Sequence, residues 1–285
     1  MQIETPAKIN LYLDITGRRP DGYHELNSLM CCIGIHDTVR FLFDSPDAAG
    51  RLTATCDHPD VPTGSGNLAF VAAEAFFKET GITPGKLNIS IEKQIPVGAG
   101  LGGGSSNAAG VLRGLNRYYG NPVSTHRLME LGAGLGADVP FFITGRPAVA
   151  TGIGEELSFL EGMPSLPLIV IYPGLPLSTA RIYKKFNLAL TNPEKINKKF
   201  ILKQGWVADV SRYLFNALEP AAIKLCPEIG AAKQALLECR ADGALMSGSG
   251  SSVFGIFSDI GRAKSAYDKL SGCRRWRVFL TRLLT

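Results

Sequence analysis

The start of the chain alternates between apolar and polar residues. From Ile9 to Ile15 the apolar side chains recur at every second position, which is the period of a β-strand with one buried and one polar face. On that period Lys8, Asn10 and Tyr12 share the polar face. The pattern therefore predicts a half-buried strand that presents these three side chains together.

Regular patterns continue along the rest of the chain. Ser105 or Ser106 can cap a helix that Gly120 ends, whereas residues 184–205 are polar and typical of a loop-rich segment. The order of the elements predicts an α+β protein with a second unit from about residue 160 onward. Further strands are predicted over 38–43, 87–93, 166–172, 253–257 and 275–280, and further helices over 68–78, 124–131, 213–225, 228–239 and 261–271.

The composition is that of an ordinary globular protein. The 285 residues suffice for two modest domains or one large one, and 45% of them are hydrophobic and 19% charged. No apolar run approaches the roughly 18 residues that a membrane span needs, and residues 1–15 lack the pattern of a secretory signal. We therefore expect a cytoplasmic protein without a membrane partner. The net charge of +5 suits either nucleic acid or a small polyphosphate substrate.

The cysteines show no pattern typical of a metal or redox site. The chain has six of them, with no C-x-x-C pair and no histidine at a matching spacing, so a zinc site and a thioredoxin-like site lack support. We expect scattered buried thiols in a reducing compartment.

A glycine-rich stretch joins a predicted strand to a predicted helix. It runs from Pro96 to Asn107 and reads PVGAGLGGGSSN. Glycine allows positive φ and lacks a Cβ, so backbone N–H groups in such a loop can converge on a phosphate. The following helix adds its positive N-terminal end, and Ser105 and Ser106 supply hydroxyls for phosphate oxygens or a magnesium ion. The stretch therefore predicts an anion site.

A dinucleotide-binding loop is the sharpest alternative for this stretch. Gly98, Gly100 and Gly103 satisfy G-x-G-x-x-G between a strand and a helix. The ribose-binding acid expected about 20 residues further on is missing, because no Asp or Glu occurs between Glu92 and Glu130. The G-x-x-x-x-G-K-[ST] loop and the protein-kinase H-R-D triplet are also missing. A flexible linker is disfavoured because linkers seldom lie tightly between a strand and a capped helix.

Two further motifs flank the glycine-rich stretch along the chain. They are Pro6–Leu11 (PAKINL) and Met246–Phe254 (MSGSGSSVF), and the ordered set of three resembles the GHMP kinase superfamily. The segments GRRPDGYHE from Gly17 to Glu25 and LGADVP from Leu135 to Pro140 narrow the resemblance. Both segments are similar to those of the branch of the superfamily that phosphorylates 4-diphosphocytidyl-2-C-methyl-D-erythritol in the non-mevalonate isoprenoid pathway.

The resemblance implies a two-domain α+β GHMP kinase fold. Residues 1–159 would form an N-terminal ATP-binding domain like the second domain of ribosomal protein S5, and residues 160–285 a ferredoxin-like C-terminal domain, with the active site between them. It also implies that ATP, with magnesium, donates a phosphoryl group to the 2-hydroxyl of the cytidylated substrate. Phosphoryl transfer needs charge neutralisation on the β and γ oxygens, but no protein ligands for the magnesium are assigned.

By the same resemblance, Lys8 and Asp138 face the acceptor hydroxyl. Asp138 would accept or orient the hydroxyl proton, while Lys8 would keep that carboxylate ionised. Without the family, both residues would more often lie on the surface. The implied substrate-binding residues are Asp138, Asn10, Tyr23, His24, Thr179 and Tyr183, with Tyr23 and Tyr183 on the two faces of the cytosine and His24 hydrogen-bonded to it.

The resemblance assigns ATP to the glycine-rich stretch and to three residues before it. From the residues themselves, Asn67 and Leu68 are as well explained by a helix cap, and Lys93 by a solvated strand end. The implied ATP-binding residues are Asn67, Leu68, Lys93, Pro96, Val97, Gly98, Ala99, Gly100, Leu101, Gly102, Gly103, Gly104, Ser105, Ser106 and Asn107.

Two other functions stay open at this point. Another member of the superfamily, such as a mevalonate or homoserine kinase, would share the ATP site but would have no use for Tyr23, His24 and Tyr183. An RNA-binding protein would suit the four arginines around Trp276, although the same tail fits an edge strand with Trp276 and Val278 directed inward. We expect a small-molecule substrate and no nucleic-acid partner.

Overall fold

The computed structural model describes residues 1–43, 52–185 and 213–285. The predicted loop-rich segment 184–205 lies outside the described residues from position 186 onward. The strands are Gln2–Arg18 (β1), His24–Phe43 (β2), Leu52–Cys56 (β3), Leu87–Glu92 (β4), Ala148–Thr151 (β5), Glu156–Phe159 (β6), Pro167–Tyr172 (β7), Phe215–Asn216 (β8), Gly243–Met246 (β9), Val253–Ile256 (β10) and Arg277–Arg282 (β11). The helices are Leu68–Thr80 (α1), Gly103–Tyr118 (α2), Thr125–Leu135 (α3), Val139–Thr144 (α4), Thr179–Lys185 (α5), Glu219–Leu225 (α6), Glu228–Glu238 (α7) and Ile260–Ser271 (α8).

The chain divides into two compact units that are interleaved along the sequence. The first unit comprises Met1–Ala7, Ile35–Val97 and Gly102–Gly145. The second comprises Lys8–Gly34, Gly98–Leu101 and Arg146–Thr285. Strands β1 and β2 therefore contribute residues to both units. The boundary expected between residues 159 and 160 separates the two domains that the superfamily resemblance implies, and not these compact units. It stays a prediction.

The first unit places helices against a small sheet. Strand β4 pairs with the end of β2 in antiparallel register, from Thr38 opposite Glu92 to Phe43 opposite Leu87, and β3 pairs with β4 in parallel. Helix α2 contacts α1, α3 and α4. Its glycines bring it close to the strands, since a Cβ at Gly110 would lie only 2.3 Å from the methyl group of Thr5.

The second unit contains a four-stranded antiparallel sheet in the order β11-β7-β10-β9. Helices α6, α7 and α8 share one hydrophobic core with β7, β9 and β10. In the same unit β5 pairs with β2 and β6, and the short β8 runs parallel to β1. The predicted edge strand at the C-terminal end is confirmed, because β11 is the outer strand and Trp276 and Val278 pack against the core while Arg275 and Arg277 are exposed.

The prediction of a half-buried first strand is wrong. Every residue of β1 from Ala7 to Ile15 is buried, including Lys8 and Asn10. Alternation of polar and apolar residues shows the chemistry of each face of a strand and not its exposure. A polar face can be buried where its groups find hydrogen-bond partners inside the protein. Asn10 has such a partner in the hydroxyl of Ser28, at 2.7 Å.

Most other predicted elements are confirmed, with two differences. Helix α2 begins at Gly103 with Gly102 as its N-cap, and not with a serine cap, because Gly102 has a φ of 72° that supplies the turn into the helix. The predicted helix over 213–225 begins only at Glu219. The two-residue strand β8 precedes it, and the side chain of Asn216 accepts a hydrogen bond from the N–H of Leu218.

Two further features agree with the expectations from composition. All six cysteines are free thiols, three of them buried and three half-buried. Across residues 1–43, 52–185 and 213–285, no helix combines the length and the apolar character needed to cross a membrane.

The packing of α2 leads to a contrast between two of its glycines. Alanine is favoured over glycine within a helix by about 1 kcal/mol. At Gly110 the new methyl group would overlap Thr5, and overpacking costs about 1–3 kcal/mol. Gly110→Ala should therefore lower Tm. Gly104→Ala is the matched control, since nothing lies within 4 Å of its Cβ position, and it should leave Tm unchanged or higher. Equal Tm values in a thermal melt would contradict this account of the packing.

Candidate active site

The polar side chains of the first motif form a chain of hydrogen bonds. The Lys8 ammonium donates to the Asn10 carbonyl oxygen at 2.7 Å, and the Asn10 amide donates to the Ser28 hydroxyl at 2.7 Å. Ser28 in turn donates to the main-chain carbonyl of Tyr12 at 2.8 Å. This chain fixes the orientation of the Asn10 amide, so Lys8 and Asn10 lie together as predicted.

The first half of the glycine-rich stretch is held by the two flanking motifs. The carbonyl of Leu101 accepts from the N–H of Lys8 at 2.9 Å, and the carbonyl of Ala99 accepts from the N–H of Ser252 at 3.1 Å. The Ser247 hydroxyl donates to the carbonyl of Gly100 at 3.0 Å. Three successive carbonyls are thus bonded within the second unit, which agrees with the expectation that the stretch is no flexible linker.

Close approach explains why glycine is needed at position 100. Gly100 has a φ of 76°, and a Cβ there would lie 2.2 Å from the carbonyl oxygen of Ser247. A side chain at this position would therefore force the serine-glycine turn of the third motif away from the loop.

The third motif is itself supported from β8 and α6. The Asn216 amide donates to the carbonyls of Met246 and Gly248, each at 2.8 Å. The Glu219 carboxylate accepts from the N–H of Met246 at 2.8 Å and pairs with Lys233. Asn216 and Glu219 were missed by the sequence analysis, because an isolated Asn and Glu before a helix carry no motif that indicates such a role.

In the first unit, Lys93 and Asn107 lie together around a buried carboxylate. Lys93 forms an ion pair with Asp37, and the Asn107 amide donates to the same Asp37 oxygen at 2.9 Å. Lys93 is therefore no solvated strand end, because only 5% of its side chain is exposed. Asp37 was also missed by the sequence analysis.

Two of the predicted ATP-binding side chains have structural partners in the first unit. Asn67 caps α1, since its side chain accepts from the N–H of Ala69 at 2.9 Å and donates to the carbonyl of Pro62 at 2.9 Å. The Ser106 hydroxyl donates to the carbonyl of Pro6 at 2.6 Å. Contacts of these residues with ATP stay predictions, as do those of Leu68 and the rest of the set.

Asp138 occupies the N-cap position of α4. It lies within a turn in which the N–H of Val139 donates to the carbonyl of Gly136 at 3.0 Å, and it is half-buried. Asp138 belongs to the first unit and Lys8 to the second, so their joint action at an acceptor hydroxyl stays a prediction.

The aromatic residues predicted to bind a base lie in the second unit. The rings of His24 and Tyr183 have centroids 5.2 Å apart. Tyr23 follows a turn in which its N–H donates to Asp21 at 3.1 Å, and its side chain is displayed, with 61% exposed. The Thr179 hydroxyl, one helical turn before Tyr183, lies 2.9 Å from that of Ser249. The structure thus brings His24 and Tyr183 together.

Burial and a nearby cation act on His24. Partial burial lowers the pKa of its imidazole below the ordinary 6.5, and the positive charge of Arg18 lowers this pKa further. Both effects disfavour the charged form. The neutral form of the His24 imidazole is therefore favoured.

Comparison with known proteins places the chain in a family. The model of the GHMP kinases N terminal domain matches residues 67–146, and that of the GHMP kinases C terminal domain matches residues 202–274. The chain belongs to the GHMP kinase family. The α+β GHMP kinase fold expected from the three motifs is thereby confirmed, and family membership implies ATP as the co-substrate.

Relatives over nearly the full length carry one name. A protein of Syntrophotalea carbinolica (strain DSM 2380 / NBRC 103641 / GraBd1) named 4-diphosphocytidyl-2-C-methyl-D-erythritol kinase is 47% identical, covering 96% of this chain and 95% of its own. One of Geobacter sp. (strain M21) with the same name is 44% identical over 97% and 96%. A crystal structure of 4-(cytidine 5'-diphospho)-2C-methyl-D-erythritol kinase aligns with a TM-score of 0.83 and 35% identity over the whole of both chains. The resemblance to this branch is confirmed.

A more distant solved structure shares the fold. Mevalonate kinase of Methanococcus jannaschii aligns with a TM-score of 0.70 and 15% identity, covering 100% of this GHMP kinase and 98% of that chain. At this identity the likeness concerns the architecture and not the substrate.

The environment of His24 leads to a prediction about its titration. The imidazole should titrate with a midpoint below 6.5, and Arg18→Gln should raise that midpoint by removing a like charge. Because protonation is disfavoured in the folded state, His24 contributes stability above pH 6.5 that is lost as the pH falls. NMR titration of the imidazole resonances measures the midpoint.

The neighbouring Arg19 provides the control for this titration. Its guanidinium lies 3.4 Å from the Asp21 carboxylate, so its charge is balanced locally. Arg19→Gln should leave the midpoint of His24 nearly unchanged. Equal shifts in both variants would show that net charge, and not Arg18 itself, acts on the imidazole.

Proposed function

We propose that this GHMP kinase transfers the γ-phosphoryl group of ATP to the 2-hydroxyl of 4-diphosphocytidyl-2-C-methyl-D-erythritol, giving the 2-phosphate and ADP in isoprenoid precursor biosynthesis. The observation that carries the proposal is the 42–47% identity to proteins with that kinase name over nearly the whole chain. Action in the cytoplasm and the absence of a nucleic-acid partner stay predictions.

The arrangement around His24 supports a cytidine-containing substrate. A neutral imidazole offers one hydrogen-bond donor and one acceptor, which suits the edge of a base. Tyr183 lies beside this ring, and the exposed Tyr23 can cover the other side of a base by stacking. A mevalonate or homoserine substrate carries no base, so these residues favour the cytidylated acceptor.

Asp138 and Lys8 are the residues that we propose for the chemical step. The acceptor oxygen would attack the γ-phosphorus while the bond to the β–γ bridging oxygen breaks, so that ADP leaves. Asp138 would orient the hydroxyl and take its proton, and the buried ammonium of Lys8 would draw negative charge from the moving phosphoryl group. Catalysis of this type rests mostly on positioning and electrostatic stabilisation.

Magnesium is expected with the nucleotide, where it neutralises charge on the phosphate oxygens. The residues that the structure describes contain no group of three carboxylate, histidine or cysteine side chains that could hold a metal ion. We therefore assign no protein ligand set to the ion and derive no step through it.

The acceptor is tested by ³¹P NMR with ATP, magnesium and one acceptor at a time. With the cytidylated methylerythritol we expect a new phosphomonoester resonance together with ADP. Mevalonate and homoserine should give neither. A phosphomonoester formed faster from mevalonate or homoserine would contradict the proposed substrate while leaving the family assignment intact.

The role of Asp138 predicts a separation of binding from chemistry. Asp138→Asn preserves shape but removes the proton acceptor, so kcat should fall by about 10² to 10⁴ with little change in Kd for either substrate. Steady-state kinetics and calorimetry measure the two quantities. The exposed Asp60 supplies the control, and Asp60→Asn should retain full turnover. Near-normal kcat in Asp138→Asn would remove Asp138 from the chemical step.

A further inference from the structure

A fully buried carboxylate lies at the centre of the first unit. Asp37 is 0% exposed, and each of its two carboxylate oxygens accepts two hydrogen bonds. One oxygen receives the main-chain N–H groups of Gln94 and Ile95, each at 2.8 Å. The other receives the Lys93 ammonium and the Asn107 amide. A buried charge needs such pairing, so the four donors explain how Asp37 is accommodated.

The partners of Asp37 place the Lys93 ammonium at the start of helix α2. A Cβ built on Gly103, the first residue of the helix, would lie 2.9 Å from that nitrogen. A helix N-terminus carries partial positive charge, so a cation there is unfavourable without a counter-charge. Asp37 supplies the counter-charge, and without it the flexible lysine side chain would leave this position.

The Lys93 ammonium has a third N–H donor beyond the two that are already hydrogen-bonded. It donates to Asp37 and to the Asn107 carbonyl oxygen at 3.3 Å, and an ammonium carries three donors. Among the residues that the structure describes, none accepts a hydrogen bond from the third. With only 5% of the side chain exposed, this donor suits an acceptor oxygen or nitrogen of a bound ligand.

We propose that Asp37 is a positioning residue for ATP, acting through Lys93. It holds the ammonium against the first turn of α2 so that the third N–H is directed to an acceptor atom of the nucleotide. Asn107 completes the arrangement, since it accepts from Lys93 and donates to Asp37. The inference rests on the proposed function for the identity of the ligand as ATP.

The test compares Asp37→Asn, Lys93→Met and the double variant. Each single variant should raise the Kd for ATP about 10- to 100-fold, the range of a lost hydrogen bond to a charged group, and leave KM for the acceptor within about twofold. The double variant should bind ATP no more weakly than Lys93→Met, because Asp37 acts through that side chain. Calorimetry with ATP in the absence of acceptor measures Kd, so a wrong acceptor does not affect the result.

Thr5→Val is the matched control for a general loosening of this cluster. The Thr5 hydroxyl donates to the main-chain carbonyl of Asp37 at 3.2 Å and accepts from the Asn107 amide at 2.9 Å. It is not one of the four described donors to the Asp37 carboxylate. Thr5→Val should lower Tm and leave Kd for ATP within about twofold. Equal loss of ATP binding in Thr5→Val and Asp37→Asn would show a merely structural role and overturn the proposal.

The double variant also keeps the test decisive if Asp37→Asn fails to fold. Neutralising both members of a buried ion pair is often tolerated where removal of one member is not. The double variant should then fold and match Lys93→Met in its Kd for ATP. Losses that multiply, or an Asp37→Asn protein that binds ATP as tightly as the natural protein, would overturn the proposal.

Discussion

Burial of the first strand on both faces is the constraint on which the candidate site depends. From Ala7 to Ile15 no side chain of β1 reaches solvent freely, so the polar ones must be satisfied within the protein. Lys8 and Asn10 are consequently locked into a chain of short hydrogen bonds that ends at Ser28 and the backbone. Side chains fixed in this way lose little freedom when a ligand arrives, which is the condition for precise positioning of reacting groups.

The need to satisfy polar groups within the protein also explains why three motifs far apart in the sequence form one arrangement. The glycine-rich stretch presents bonded carbonyls at Ala99, Gly100 and Leu101, and the donors come from the first and third motifs. The third motif depends in turn on Asn216, whose amide holds two of its carbonyls. A glycine loop has high conformational entropy when free, so these bonds offset the cost of ordering it before a nucleotide binds.

Periodicity and loop composition predicted what is local in the sequence. The alternation around Ile9 located the strand and placed Lys8 beside Asn10, and the glycine-rich stretch between a strand and a helix indicated a structured loop. Burial of that strand, and the roles of Asp37 and Asn216, arise from contacts across long stretches of chain: Asp37 lies 56 residues from Lys93. Such contacts depend on the tertiary fold, and a single sequence contains no periodic signal for them. The branch of the family was predicted from several motifs taken together, because their combination carries information that secondary-structure propensity lacks.

The electrostatics of His24 bear on how a base can be selected. A protonated imidazole would have two donors and a charge to be desolvated, and its binding strength would vary across the physiological pH range. Burial together with Arg18 lowers the pKa of His24 and so favours the neutral ring, which has one donor and one acceptor. Cytosine presents both an amino donor and ring acceptors on one edge, so under the proposed function it would be matched by a neutral imidazole held beside Tyr183. Arg18 is itself exposed, so it disfavours protonation of the ring without being packed in the core. The positive charge of Arg18 near His24 would also suit the diphosphate of the proposed substrate.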